Sequence, residues 1–179
     1  MCNADLTLVR HTKPDIAEGV CYGVLDLDVT DSFEVESSAV LSGLTKPDLL
    51  VSSPLQRCQR LAHKISLAFD LPIVTDERVR EMDFGDWEGI AWNDIDRIQI
   101  DQWTNDFYRA RPHGGESVEM LVQRVQSALG SYRKTGRSHL IVCHAGVIKA
   151  AFATGTMASD FSTSVAFGGI VKLSDFSDD

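Results

Sequence analysis

The chain has 179 residues, 44% of them apolar and 24% charged, with 17 Lys and Arg against 26 Asp and Glu for a formal net charge of −9. This is the balance of an ordinary globular protein, and it excludes disorder as the main state. The length predicts one domain over 1–179, large enough to bury a core without a disulfide or metal staple. No uncharged stretch reaches the roughly 18 residues of a membrane-spanning helix. The acidic balance argues against a nucleic-acid surface and against attraction to anionic lipid. The start, Met1-Cys2-Asn3-Ala4-Asp5, has neither a basic nor a long apolar segment, so no export signal and a cytoplasmic location are expected. The four cysteines stand at 2, 21, 58 and 143 with no C-x-x-C spacing, which predicts reduced, ordinary thiols.

In chain order, Leu6-Thr7-Leu8-Val9 reads as a strand. Thr30 or Asp31 is the expected cap of a helix running to about Leu44, near Gly43. Residues 48–51 form a second strand, and Pro54 is expected to open a helix through about Phe69. A third strand covers 71–75 and a weakly patterned helix 95–107. Val118, Leu121, Val122, Val125 and Leu129 repeat at helical spacing. A fourth strand, 139–143, is followed by a helix over 147–152, and 164–173 holds a last strand. This alternation predicts a three-layer α/β/α sandwich around a mostly parallel sheet.

The chemistry collects after the strands. The first ends in Arg10-His11-Thr12, the second in Ser52-Ser53-Pro54 with Arg57 in the next helical turn, and the fourth in His144-Ala145-Gly146. Ligands of open parallel sheets bind beyond the carboxyl ends of the strands, where helix N-termini add N–H donors for an anion. Each residue singly has an ordinary explanation: a solvated arginine, a surface ion pair, a core histidine. Together they place four potential cations at one edge, which suits a multiply charged ligand such as a phosphate monoester.

These residues carry a resemblance. Leu8-Val9-Arg10-His11-Thr12 resembles the R-H-G/T signature of the histidine phosphatase superfamily, with its phosphoglycerate-mutase-like fold. Ser53-Pro54-Leu55-Gln56-Arg57 is similar to its S-P-L-x-R motif, and Glu81 to Gly89 to its E-x-x-F-G-x-W-E-G segment. Gly114-Gly115-Glu116-Ser117 and Val142-Cys143-His144-Ala145-Gly146 complete the order. The resemblance implies that His11 is the nucleophile that takes up the phosphoryl group. Arg10, Arg57 and His144 would hold the phosphoryl oxygens. Glu81 would be the general acid and then the base, protonated when substrate binds because the phosphate dianion raises its pKa. The residues alone leave Glu77, Asp83, Asp86 and Glu88 open as alternatives to Glu81. Thr12 stands where glycine is commoner and would donate a hydroxyl to phosphate. No metal or other cofactor is implied; a zinc site drawn from His11, His63, Cys143 and His144 is the competing arrangement.

The R-H-T-x-P variant, with Cys21-Tyr22-Gly23 and Trp92, resembles the α-ribazole phosphatase branch, which acts in cobalamin assembly. Residues 90–115 are expected to form a specificity insertion carrying Trp92, Trp103, Phe107, Tyr108, Arg109 and Arg111. In it aromatic rings would stack on a base, and Arg109 or Arg111 would meet a second anion; the alternative is a hairpin that buries its own aromatics. Tyr22 is the further specificity candidate, and His113 is expected to be structural or exposed. The partner is thus a small phosphomonoester, with assembly as a homodimer left open. A mutase using the same half-reaction is the runner-up, disfavoured because only about sixty residues separate Glu81 from His144. A broad-specificity sugar or nucleotide phosphatase and a non-catalytic phospho-ligand binding module are the other readings.

Overall fold

The computed structural model describes residues 5–173; Cys2 lies outside them. Strand β1 (Leu6–Arg10) leads to helix α1 (Phe33–Ser42), then β2 (Leu49–Ser52), α2 (Gln56–Phe69) and β3 (Ile73–Thr75). After three single 3-10 turns come α3 (Arg97–Asn105), α4 (Val118–Arg133), β4 (His139–Cys143), α5 (Ala145–Phe152) and β5 (Ile170–Leu173). The sheet order is β3-β2-β4-β1-β5. All pairings are parallel except β1 with β5.

The strands sort their side chains by alternation. In β4, Leu140 and Val142 join Val9 and Leu50 in a core with α1 and α2, whereas Ile141 and Cys143 join Leu6 and Leu8 in a core with α4 and α5. Both faces of β4 are covered, so the expected α/β/α sandwich forms and all five β4 residues are buried.

Several boundaries move for local reasons. Helix α1 starts at Phe33 because Thr30 closes a turn, accepting from the Phe33 amide, while its hydroxyl binds the Ser32 hydroxyl at 2.7 Å. Pro54 precedes α2 rather than opening it: Leu55 is extended, and Asp26 Oδ1 accepts from the Gln56 amide at 2.6 Å. Helix α3 begins where Asp96 caps it, its carboxylate accepting from the Ile98 amide at 2.8 Å. Helix α5 begins two residues earlier than expected, immediately after His144. Cys21, Cys58 and Cys143 are free and buried, and burial pushes the Cys21 thiol up to about 12.

Candidate active site

The register of the parallel strands builds the site. Arg10 aligns with Cys143, and Ser52 with Val142, so the residues that follow β1, β2 and β4 meet at one edge of the sheet. The His11 amide donates to the Cys143 carbonyl, and the Ser53 amide to that of Val142, each at 3.0 Å. The His11 and His144 rings stand edge to face, with centroids 5.1 Å apart. Arg57, in the first turn of α2, is fully buried and donates to the carbonyls of Leu25 and Gly23 at 2.7 and 2.6 Å. Arg10 donates from Nη1 to the Val165 carbonyl at 2.7 Å, and the Phe167 ring stacks on its guanidinium at 4.0 Å. The structure therefore brings together Arg10, His11, Thr12, Arg57 and His144.

The nucleophile candidate is set up by one hydrogen bond. His11 Nδ1 lies 2.7 Å from the Thr12 carbonyl oxygen, which can only accept, so Nδ1 carries the proton and Nε2 the lone pair. Burial, followed by the Arg57 charge, lowers the His11 pKa to about 3. His144 Nε2 lies 2.7 Å from the Ser53 hydroxyl and 3.4 Å from the Cys58 sulfur, and burial followed by His11 holds its pKa well below 6.5. The expectation of four cations is corrected: the fixed positive charge comes from Arg10 and Arg57, and both imidazoles are neutral because they are buried beside arginines. Arg10 Nε, Arg57 Nε and Thr12 Oγ1 are buried without a protein partner. Buried donors are normally satisfied, and all three belong to residues grouped around His11.

Glu81 is buried on the α5 side of the same site. Its Oε1 accepts from the Met82 amide at 2.9 Å and its Oε2 from the Gly146 amide at 3.1 Å. A Cβ on residue 146 would fall 2.2 Å from Oε1, so the glycine makes the approach possible. Glu81 and Arg10 open onto a cavity of about 340 Å³. Tyr22 and Trp92 line it, with Phe84, Trp103, Phe107 and Phe161.

Arg109 and Arg111 do not line it. The Glu119 amide donates to the Tyr108 carbonyl at 2.9 Å, which turns this loop onto the start of α4. Arg109 pairs with Glu119 at 3.7 Å, and Arg111 reaches the Gly114 carbonyl at 3.5 Å. Beside Arg10, Lys149 of α5 lines the cavity. No motif marks it, but its position five residues after His144 would have been a signal. Phe167 was also missed, because its place depends on β5 turning back along β1. His113 is structural: it is buried, and its Nδ1 accepts from the Gly115 amide at 3.0 Å. His63 lines a separate groove with Phe33 and Glu34. Among the described residues no cluster of three or more His, Cys, Asp or Glu is placed to hold a metal, and none of their helices is long and apolar enough to cross a membrane.

A histidine with a free Nε2 between two arginines, at the carboxyl edge of a mostly parallel sheet, defines a phosphoryl-handling site. The profile of the histidine phosphatase superfamily (branch 1) matches residues 6–163, and the chain belongs to that family. Phosphoserine phosphatase 1 of Hydrogenobacter thermophilus is 27% identical over 175 residues, spanning 91% of this chain and 81% of its own. Glucosyl-3-phosphoglycerate phosphatase of Mycolicibacterium vanbaalenii is 30% identical over 164 residues, spanning 81% and 71%. Adenosylcobalamin/α-ribazole phosphatase of Escherichia coli is 32% identical over 106 residues, spanning 56% and 52%. Among solved structures, the mycobacterial glucosyl-3-phosphoglycerate phosphatase superposes with a TM-score of 0.81 at 26% identity, covering 96% of this chain and 90% of that one. The α-ribazole phosphatase of Shigella flexneri gives 0.81 at 25%, covering 94% and 89%. The protein is a phosphatase.

Proposed function

We propose that the protein hydrolyses a phosphomonoester through a phosphohistidine on His11, without a metal, and that its substrate is α-ribazole 5′-phosphate or its cobamide form. The observation that carries the chemistry is the His11–Thr12 hydrogen bond, which leaves Nε2 deprotonated beside Arg10 and Arg57. His11 Nε2 attacks phosphorus while the ester P–O bond breaks, and protonated Glu81 gives its proton to the departing alkoxide. Water then attacks the phosphohistidine, Glu81 takes the water proton, the P–N bond breaks, and inorganic phosphate leaves. Arg10, Arg57, His144 and Thr12 hold the phosphoryl oxygens through both steps. Phosphoryl transfer needs mainly positioning and charge, which the two guanidiniums supply.

The aromatic lining of the cavity beside Glu81 supports the α-ribazole reading, because a planar base finds stacking partners in Trp92 and Phe84. Residues 90–115 contribute Trp92, Trp103 and Phe107 to it as a specificity insertion within a single domain. Lys149 favours a second reading, an alcohol that carries a carboxylate, as a phosphoserine or phosphoglycerate derivative does.

The test is hydrolysis of α-ribazole 5′-phosphate, phosphoserine, glycerate, sugar and nucleotide phosphates in excess EDTA. A kcat/KM for α-ribazole 5′-phosphate about a hundredfold above the others supports the reading. Preference for the carboxylated esters selects the second reading, and a flat profile removes both. Activity that vanishes in EDTA, or that survives in folded His11→Ala, removes the phosphohistidine chemistry.

A further inference from the structure

The segment that carries Glu81 has no regular structure. Residues 80–84 lie between the 3-10 turns Glu77–Val79 and Gly85–Trp87, so no helix or strand ladder fixes their backbone. Buried carbonyls there need other donors. One guanidinium supplies them. Arg124, in the middle of α4, donates from Nη1 to the carbonyls of Arg78 at 2.8 Å and Arg80 at 2.6 Å, and from Nη2 to that of Glu81 at 2.9 Å. Its Nε and Nη2 also grip Glu116, at 2.7 Å to Oε1 and 2.8 Å to Oε2.

Glu116 holds the chain on the other side of Glu81. Its amide donates to the Asp83 carbonyl at 2.8 Å, and its Oε2 accepts from the Asp83 amide at 3.4 Å. The pair is mostly buried, with 17% of the Arg124 side chain and 10% of that of Glu116 exposed. Neither lines the cavity beside Glu81, so neither is placed to touch a substrate there.

We infer that Arg124 and Glu116 form a positioning pair that fixes the backbone on both sides of Glu81 and so sets its carboxylate for proton transfer to the leaving group. This rests on the reading of Glu81 as the proton donor. Among the described residues the carboxylate is held by two amides, those of Met82 and Gly146, and the first moves with the segment. Proton transfer needs heavy atoms within roughly 2.6–3.2 Å, and a misplacement of about 1 Å can cost on the order of a hundredfold. Arginine suits the task because its planar fork reaches all five acceptors at once; lysine keeps the charge but not the fork.

The experiment compares Arg124→Lys, Glu116→Gln and Glu81→Gln on an aryl ester, p-nitrophenyl phosphate, and an alkyl ester, glycerol phosphate, with the melting temperature of each variant. A poor alkoxide leaving group needs the acid and nitrophenolate hardly does. The expected result is a fall in kcat of about 10- to 100-fold on the alkyl ester for Arg124→Lys, and of less than about threefold on the aryl ester. The inhibition constant of inorganic phosphate should stay within about a factor of two, since the phosphoryl pocket is untouched. Glu116→Gln, which keeps its size and an acceptor for Asp83, should show the same selectivity in weaker form, and it carries the test should Arg124→Lys not fold. Equal losses on both esters in these two variants, with Glu81→Gln still selective, would overturn the inference and leave the pair a purely structural tie. Equal losses in Glu81→Gln itself would remove the acid reading, and the inference with it.

Discussion

His11 Nδ1 lies 2.7 Å from the carbonyl oxygen of Thr12, and this contact decides which ring nitrogen carries the lone pair. A carbonyl cannot donate, so the proton is on Nδ1 and the lone pair on Nε2. Burial and the Arg57 charge then keep the ring neutral down to about pH 3. The expected outcome in a side-chain ¹⁵N NMR titration is one His11 ring, Nδ1-protonated, whose shifts hold between pH 7.5 and about 5. A ring that titrates near its ordinary value of about 6.5 would contradict this.

The same depression makes stability pH-dependent. In the unfolded chain His11 takes up a proton near 6.5; in the folded chain it does so only near 3. Between these values the unfolded state binds more protons, so stability is fully present above about pH 6.5 and declines as pH falls below it. His144, His139 and His113 are shifted downward by burial and act in the same direction. The His11 share at pH 5 is about 2 kcal/mol by linkage. Urea unfolding at pH 7 and pH 5 should therefore show a loss that is smaller by about that amount in His11→Asn. An identical loss in both proteins would mean that His11 is not the source.

Glu88 ties two loops of the site together. Its Oε1 accepts from the amides of Val24 at 2.9 Å and Phe84 at 3.0 Å, and its Oε2 from that of Leu25 at 2.7 Å. The carbonyls of Gly23 and Leu25, on the same loop, hold the Arg57 guanidinium. Glu88→Gln replaces one acceptor oxygen by a donor facing a donor, at a cost of about 1–3 kcal/mol. Chemical denaturation should show that loss, and a fall in kcat together with kcat/KM should show that Arg57 has lost its frame. Unchanged kcat and kcat/KM would make Glu88 a stability residue alone.

The sheet and the phosphoryl side of the site were legible in the sequence because both follow from local pattern. Arg10-His11, Ser53 and His144 each end an apolar run, and parallel register brings such ends together without further information. The leaving-group side was not, because it depends on how irregular segments fold back. Trp92 and Tyr22 reach the cavity, but Arg109 and Arg111, on the same stretch as Trp92, are turned away by the contact between the Tyr108 carbonyl and the Glu119 amide. Lys149 sits on a helix whose direction is set by packing, and Phe167 reaches Arg10 through an antiparallel return. Charge was misread for a related reason. A histidine counts as a potential cation in a sequence, whereas burial beside an arginine makes it neutral.

Gly146 couples the helix that follows His144 to the Glu81 carboxylate. Its amide donates to Glu81 Oε2 at 3.1 Å, and a methyl group there would lie 2.2 Å from Oε1. That distance is far inside van der Waals contact, so in Gly146→Ala the carboxylate must leave its place. The glycine has an ordinary negative φ and sits at the start of α5, so alanine suits the helix itself. The variant should fold with little change in melting temperature, yet lose about 10- to 100-fold in kcat on alkyl phosphates and much less on aryl phosphates. Retention of full activity on both ester classes would show that the Glu81 carboxylate does its work from another position.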